Sequence, residues 1–239
     1  MEQAYEAFLA EQRAAILDRV SDAASRASRS ADEVELMAVS KTVGPDEVVA
    51  AWHAGYRSFG ENRPQELTRK LTALAADPCM DEITFDMIGN LQKNKINQVL
   101  GNVRLIQSVS SPHLAEAISR RAQTRGITVP VLLEVNISGE ESKSGFSPEE
   151  VLSMAEDLVS LDALSIEGIM TMAPARDGDA ARRTFSGARE LREELRRVTG
   201  LPLNTLSCGM SDDFEIAVEE GSTLIRLGRI VFDQEYAPV

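Results

Sequence analysis

VELMAVSKTVGPDEVVAAWHAGYRSFGE, residues 34–61, contains the strand–helix–strand unit that decides the fold. The apolar and β-branched run VELMAVS (34–40) predicts a buried strand. The segment PDEVVAAWHAG that follows has apolar residues three and four apart and a closing glycine, so it predicts a helix. The run YRSFGE (56–61) predicts a second strand, and a strand–helix–strand unit of this kind is typical of a parallel sheet.

The same alternation continues along the chain of 239 residues. The runs that predict strands are VELMAVS (34–40), YRSFGE (56–61), ITFDMIG (83–89), VRLIQSV (103–109), VPVLLEVNI (129–137), SIEGIMTM (165–172), NTLSCGM (204–210) and TLIRLGRIVF (223–232). Eight strands with helices between them favour a closed barrel, because an open doubly wound sheet usually has about six strands and a glycine-rich first turn. The predicted fold class is therefore α/β, a single-domain (β/α)8 TIM barrel over residues 33–233, with an extra N-terminal helix in residues 1–32.

Charge and cysteine content narrow the partners and the compartment. A net charge of -13 disfavours nucleic acids and anionic membrane surfaces, since both bind proteins through basic side chains. The N-terminus has no uninterrupted apolar stretch and predicts neither a signal peptide nor a membrane span. Cys79 and Cys208 lie far apart and suggest a reducing compartment, with Cys208 as a small buried side chain. We expect a cytoplasmic monomer with no nucleic-acid or membrane partner.

A metal- or nucleotide-dependent barrel enzyme is one alternative for the function. The two histidines, His53 and His113, both fall in predicted helices, where we expect surface or packing roles. The sequence has neither a Cys/His ligand spacing nor a P-loop, so no metal site is predicted.

Chemistry in such barrels is carried by residues at the carboxyl ends of the strands, and phosphate groups often lie beside the last two. Lys41 directly follows the first strand and Asn62 the second. In the barrel mouth, burial and neighbouring cations would favour a neutral Lys41 amine that can form a Schiff base. A solvated charge is the alternative for a strand-end lysine.

The seventh strand leads to Ser211, which the pattern places at the start of the helix predicted over EIAVEEG. A serine at a helix N-terminus can donate to a phosphate oxygen, although an ordinary N-cap explains it equally well. Asp212 and Asp213 would serve equally well as the N-cap, and they would oppose a phosphate unless their side chains point away from it.

The eighth strand contains Arg226 and Gly228, two residues apart and thus on one face of the strand. Gly228 would let the backbone approach a phosphate. Arg226 would point into the barrel and need a partner, because a buried unpaired guanidinium is costly. A salt bridge to Glu134 is the alternative to a ligand.

Longer blocks of sequence carry a family resemblance. They are AVSKTVGPDEVVAAWHAGYRSFGENRPQE, MIGNLQKNKINQVL, EVNISGEESKSGF, EGIMTM and LSCGMSDDFEIAVEEGSTLIRLGRIVF, which together span Val34 to Phe232. Through them the chain resembles the pyridoxal phosphate homeostasis protein family. The resemblance implies a barrel similar to the N-terminal domain of alanine racemase, pyridoxal 5′-phosphate as cofactor, and a role in intracellular vitamin B6 homeostasis that passes the cofactor to cofactor-free enzymes.

The resemblance also implies a role for each cofactor-binding residue. These roles are a Schiff base on Lys41, Asn62 beside the cofactor ring, Arg226 facing the pyridine nitrogen, and Ser211 with the backbone of Gly228 and Arg229 at the phosphate. Lys143 matches a second family lysine that could take part in cofactor traffic, and a solvated loop lysine is the alternative.

Three positions depart from the family pattern. Asp86 stands where the family usually has histidine, Arg229 where it usually has threonine, and Asp233 where it usually has glycine. The change at Arg229 removes one expected phosphate donor, but a guanidinium turned inward would supply a stronger one.

The resemblance does not imply an enzyme. A guanidinium is always charged, so Arg226 against the pyridine nitrogen would oppose its protonation and weaken the ring as an electron sink. We therefore expect no catalytic residues and no turnover. A racemase of the alanine racemase type is the alternative, because racemisation tolerates this arrangement. In those racemases a second domain supplies a catalytic tyrosine, and Tyr236 in the tail is the one candidate here.

Overall fold

Eight parallel strands form a closed barrel in the computed structural model, which describes residues 2–75, 77–80, 82–140 and 143–237. Each strand pairs with the next, and the eighth pairs with the first, so that Met37 lies opposite Arg226. The strands are β1 (Glu35–Val39), β2 (Ser58–Glu61), β3 (Thr84–Met87), β4 (Leu105–Val109), β5 (Val129–Glu134), β6 (Leu164–Met170), β7 (Thr205–Ser207) and β8 (Leu224–Leu227). The predicted TIM barrel is confirmed.

Helices cover the outside of the barrel. They are α1 (Glu2–Arg26), α2 (Pro45–His53), α3 (Pro64–Leu74), α4 (Ile96–Val99), α5 (Pro112–Arg125), α6 (Pro148–Ser153), α7 (Ala155–Val159), α8 (Gly178–Thr199), α9 (Phe214–Glu219) and α10 (Arg229–Phe232). Several begin as their sequences predict: α5, for example, has a proline in its first turn, is capped by the Ser111 hydroxyl, and ends at Gly126 with φ of 65°. None of the helices in these residue ranges is long and apolar enough to cross a membrane.

The N-terminal helix α1 is present as predicted and lies on the outside of the barrel. It packs against α2, α9 and α10. Leu9, Ile16 and Val20 are buried on the side that faces these helices. Helix α1 therefore covers the region where β8 closes the barrel against β1.

The predicted eighth strand, 223–232, is wrong beyond Leu227. The backbone leaves the extended conformation at Gly228, with φ of -115° and ψ of -72°, and α10 follows. Ile230, Val231 and Phe232 are buried by this helix. A short apolar run is compatible with a buried strand and with a buried helix, so its composition could not distinguish the two.

Polar side chains occupy part of the barrel interior. Alternation along the strands directs Asp86, Gln107, Ser207 and Arg226 inward, and all four are buried. An apolar layer formed by Leu105, Leu132 and Met170 lies among them. Interiors of such barrels are usually filled with branched apolar residues, so the buried polar groups need partners within the barrel or at its mouth.

Candidate functional site

A cavity of about 870 Å³ opens at the carboxyl ends of the strands, and we call it the mouth cavity. All the predicted cofactor-binding residues border it, although they come from both ends of the sequence. They are Lys41, Asn62, Ser211, Arg226, Gly228 and Arg229. The geometry thus brings together the residues that strand position had selected and Arg229, which the family resemblance had added.

Lys41 lies in a turn just beyond β1. The Val43 N–H closes this turn by donating to the Ser40 carbonyl oxygen at 3.1 Å. The Lys41 side chain is exposed, so the expectation that it would be buried is wrong. The residue lies past the end of the strand, where the mouth cavity opens to solvent, and its amine is accessible to an entering ligand.

A buried ion pair lies directly behind Lys41 and Asn62. Lys70 on α3 pairs with Glu61, the residue before Asn62, and both side chains are fully buried. The Lys70 amine also donates to the Ser40 carbonyl at 2.6 Å, and the Ser40 hydroxyl donates to Glu61 Oε1 at 2.8 Å. This network ties β1, β2 and α3 together and fixes the backbone from which Lys41 and Asn62 extend.

This pair was not predicted from the sequence, although one signal was available. Lys70 falls between Leu67 and Leu74, three and four residues away, and therefore on the apolar face of α3. A lysine on a buried helix face requires an anionic partner.

Asn62 is held against the end of β3 by a close approach of two backbones. A β-carbon on Gly89 would lie 2.4 Å from the Asn62 carbonyl oxygen and 2.7 Å from its Cα. Only glycine leaves enough space for the ends of β2 and β3 at this point. The position of Asn62 at the mouth cavity therefore depends on Gly89.

Arg226 is only 5% exposed and extends from β8 into the barrel. Its guanidinium donates to the Ser207 hydroxyl and, at 3.0 Å, to the Thr171 carbonyl. The alternative salt bridge to Glu134 does not form in the described part of the chain. Burial lowers the pKa of Arg226 and, despite the nearby guanidinium, raises that of Glu134.

Glu134 borders the same cavity, and among the described residues its Oε2 atom has no hydrogen-bond partner. A buried cation and an incompletely bonded carboxyl group therefore face one space. Such a space suits a ligand with polar atoms on an aromatic or apolar body.

The predicted N-cap role of Ser211 is wrong. Helix α9 begins at Phe214, its N-cap is Asp213, and the Asp213 carboxylate accepts from the Met210 N–H at 2.6 Å. The chain makes an additional turn after β7, which carries Ser211 away from α9. Its hydroxyl instead accepts from the Ile230 N–H at 3.4 Å, at the start of α10.

Gly228 does not share a strand face with Arg226, because β8 has already ended and Gly228 is the N-cap of α10. The N–H groups of Gly228 and Arg229 stand at a helix start, where no acceptor within the helix is available. Ser211 and these two N–H groups form one corner of the mouth cavity. Donors of this kind favour an anionic group.

The Arg229 side chain is engaged by neighbouring side chains. Its guanidinium forms an ion pair with Asp212 and lies 5.3 Å from the centroid of the Tyr236 ring. The Tyr236 hydroxyl donates to Asp212 Oδ1 at 2.6 Å. This hydrogen bond, assisted by Arg229, lowers the pKa of Asp212, whereas burial and the same bond raise the pKa of Tyr236 to about 12. Asp212 is thus ionised, and the positive charge of Arg229 balances its negative charge.

Lys143 is not a freely solvated loop lysine. Its side chain is 19% exposed, pairs with Glu140, and donates to the Met172 carbonyl and the Ser138 hydroxyl, each at 3.3 Å. Lys143, like Lys41, borders the mouth cavity. The contact with Met172 was not predictable from the loop sequence, because Met172 lies beyond the end of β6.

Known proteins share both the sequence and the fold. The family model described as "Alanine racemase, N-terminal domain" matches residues 12–235. A pyridoxal phosphate homeostasis protein from Aquifex aeolicus is 38% identical over 220 residues, which cover 92% of this chain and 95% of that protein.

Two solved structures support the same relationship. An unknown protein from Bifidobacterium adolescentis is 42% identical, with a TM-score of 0.90 and 97% of each chain covered. PipY from Synechococcus elongatus, solved with PLP bound, is 34% identical, with a TM-score of 0.79 and coverage of 91% of this chain and 99% of PipY. The chain therefore belongs to the pyridoxal phosphate homeostasis protein family, whose barrel is that of the alanine racemase N-terminal domain.

Proposed function

We propose that the chain binds pyridoxal 5′-phosphate in the mouth cavity, with Lys41 as its covalent anchor, and serves vitamin B6 homeostasis as a carrier. One observation carries this proposal: an accessible lysine, a buried arginine and a corner of hydrogen-bond donors border a single cavity. The names of the Aquifex relative and of the PLP-bound Synechococcus structure support the same cofactor.

Different residues of the cavity suit different groups of the cofactor. Ser211 and the first N–H groups of α10 suit a phosphate, because these N–H groups have no acceptor within the helix and the serine hydroxyl can also donate. Arg226 suits the pyridine nitrogen, since it is held by only one hydroxyl and one carbonyl. Asn62 would then flank the ring.

When bound, pyridoxal phosphate supplies an aldehyde that condenses with an amine. Lys41 is the amine we assign to that bond, because it lies at the open side of the cavity. Among the described residues, its amine has no hydrogen-bond partner that a ligand would have to displace. Lys143 is less suited to the bond, since Glu140, Ser138 and Met172 already engage its amine.

The position of Arg226 supports storage or transfer over catalysis. Burial lowers its pKa, but arginine starts from so high a value that the guanidinium stays charged at neutral pH. A fixed cation opposite the pyridine nitrogen disfavours the protonated ring on which most cofactor chemistry depends. We therefore propose that the chain has no catalytic turnover and passes its cofactor to cofactor-free enzymes.

Cofactor attachment is tested with Lys41→Ala and a matched control, Lys93→Ala, which changes an exposed lysine away from the cavity. The protein is incubated with pyridoxal phosphate, reduced with borohydride and mapped by peptide mass spectrometry. The expected adduct lies on the peptide that contains Lys41, and only Lys41→Ala abolishes it together with the yellow absorbance band. A band of undiminished strength in Lys41→Ala would overturn the assignment.

Carrier function is tested by transfer. The loaded protein is mixed with a cofactor-free B6 enzyme, and the rate of reactivation is compared with that given by an equal concentration of free cofactor. We expect the loaded protein to reactivate the enzyme at least as fast. Sustained racemisation of L-alanine by the pure protein, abolished by Tyr236→Phe, would instead establish the racemase alternative.

The proposal places the chain in the cytoplasm. Cys79 is exposed and Cys208 is buried, and neither takes part in a disulfide. Free cysteines support a reducing compartment, where cofactor-dependent enzymes could receive their cofactor.

A further inference from the structure

A continuous chain of hydrogen bonds crosses the barrel interior behind the mouth cavity. Arg226 Nη1 donates to Ser207 Oγ, which in turn donates to Gln107 Oε1 at 2.7 Å. Gln107 Nε2 donates to Asp86 Oδ2, also at 2.7 Å. These side chains come from β8, β7, β4 and β3, and all are buried.

The far end of this chain reaches solvent at the opposite side of the barrel. Arg104, immediately before β4, donates to both Asp86 oxygens, from Nε at 2.9 Å and from Nη2 at 2.8 Å. It also bonds Glu35 at the start of β1 through Nη1 at 2.9 Å, and its side chain is 37% exposed. Burial raises the pKa of Asp86, and the hydrogen bonds and charge of Arg104 act in the opposite direction.

The direction of every link follows from the two ends. An ionised carboxylate only accepts hydrogen bonds and a guanidinium only donates them. Gln107 must therefore turn its amide nitrogen to Asp86 and its oxygen to Ser207, and the Ser207 proton must point to Gln107. The Ser207 oxygen then presents a lone pair to Arg226. If Gln107 were reversed, its oxygen would face a carboxylate, so Asp86 determines the orientation of the whole chain.

We propose that Asp86 is a positioning residue for Arg226, acting through Gln107 and Ser207, so that an ion pair at one end of the barrel controls ligand binding at the other. Neither Asp86 nor Gln107 borders the mouth cavity, so their effect on a ligand must pass along the hydrogen bonds. The ligand in this inference rests on the proposed function, because it is the pyridoxal phosphate that Arg226 would face.

The test uses Asp86→Asn, Gln107→Met and Ser207→Ala, with Glu35→Gln as the matched control. Glu35 is the other carboxylate bonded to Arg104, but it makes no hydrogen bond to Gln107, Ser207 or Arg226, and its replacement leaves both Arg104–Asp86 bonds and the Gln107–Asp86 bond available. Thermal unfolding establishes which variants fold, and Ser207→Ala removes only one hydroxyl, so it keeps the test possible if the others fold poorly. The first readout is the Nε–H signal of Arg226 in ¹⁵N NMR spectra of the cofactor-free protein, assigned with Arg226→Lys.

Loss of any link should shift this signal and speed its exchange with solvent, whereas Glu35→Gln should leave it in place. The second readout is the dissociation constant of pyridoxal phosphate, which we expect to rise about tenfold in each chain variant, because a hydrogen bond to a charged group is lost or reoriented. In the double variant of Asp86→Asn and Ser207→Ala the loss should not exceed the larger single loss, since both break one chain.

The outcomes separate the two proposals. If the folded variants keep the Arg226 signal and the dissociation constant of the wild type, or if the losses in the double variant add, the positioning role is overturned while cofactor binding stands. If the wild type binds no pyridoxal phosphate, the proposed function fails, and the NMR signal still decides whether Asp86 positions Arg226.

Discussion

At the scale of single residues, Gly89 gives the most direct prediction. Its Cα lies against the Asn62 backbone, and a β-carbon there would overlap the Asn62 oxygen at 2.4 Å. We expect Gly89→Ala to destabilise the protein by about 1–3 kcal/mol, because β2 and β3 must separate at the mouth cavity. Urea unfolding measures the loss. The matched control is Gly178→Ala, whose new methyl would meet only Ile216 Cδ1 at 3.5 Å, and equal stabilities for the two variants would contradict the prediction.

The two cysteines should differ in reactivity. Cys208 is fully buried, and this burial raises its pKa to about 12, while Cys79 is exposed. Because the thiolate is the reactive species, a thiol-specific disulfide reagent should label only Cys79 in the native protein and both cysteines in denaturant. Cys79→Ser should leave no rapidly reacting thiol. Rapid native labelling of that variant would show that the region around Cys208 opens easily.

The bond between Tyr236 and Asp212 predicts a pH dependence with two limits. The pKa of Asp212 is lowered in the folded protein. Its contribution to stability is therefore present above the usual aspartate range and is lost as the pH falls through the pKa of the folded state. The pKa of Tyr236 is raised to about 12, so its contribution is complete below pH 10 and is lost as pH rises towards 12.

Tyr236→Phe should therefore be less stable than the wild type at neutral pH, by at most about 1 kcal/mol for a partly exposed pair. The difference should shrink at both extremes of pH. Unfolding of both proteins by urea at a series of pH values measures it, and a difference that stays constant from acid to neutral pH would refute the role of Asp212.

At the scale of the elements, Lys70 connects α3 to the ends of β1 and β2. Lys70→Met would leave the Glu61 carboxylate buried without its cation, and we expect a loss of about 3–5 kcal/mol. Replacing both residues, as Glu61→Leu with Lys70→Met, should recover much of that loss, because no unpaired charge remains. Chemical denaturation compares the three proteins, and a double variant less stable than Lys70→Met would contradict this explanation.

The sequence predicted elements better than it predicted their ends and contacts. The alternation of strand and helix patterns was sufficient for eight strands and the barrel, and strand-end position was sufficient for the residues at the mouth cavity. The sequence pattern failed at Gly228, where an apolar run continues although the backbone turns into α10. It also failed at Ser211, because the length of a turn after β7 decides which helix the hydroxyl meets.

Contacts between distant elements were beyond reach of any local pattern. Glu61 and Lys70 are joined across a strand and a helix, and Asp86 reaches Arg226 only through side chains of β4 and β7. Asp86 itself was visible as a departure from the family pattern. Its partner Arg104 explains how a buried carboxylate is tolerated there, and only the closed barrel brings the two together.

At the scale of the whole molecule, the packing of α1 on α2, α9 and α10 predicts that this helix stabilises the closed barrel. It covers the region where β8 meets β1, and its ion pair between Arg19 and Glu215, at 3.0 Å, is partly exposed and contributes little. Most of its contribution must come from apolar burial. Because β8 also leads into α10, whose first N–H groups border the mouth cavity, a loosened closure would disturb the proposed phosphate corner.

We therefore expect Leu9→Ala and Ile16→Ala each to cost about 2–5 kcal/mol, because both side chains are fully buried. The control is Glu11→Ala, on the exposed side of the same helix, which should be nearly neutral.

The losses in Leu9→Ala and Ile16→Ala together approach the whole stability of a typical domain, about 5–15 kcal/mol, so the double variant should be largely unfolded without ligand. Saturating pyridoxal phosphate should restore part of its folded population, since the mouth cavity proposed to bind it exists only in the closed barrel. Circular dichroism with and without the cofactor measures this linkage, and a double variant that unfolds at the wild-type urea concentration would show that the barrel closes without α1.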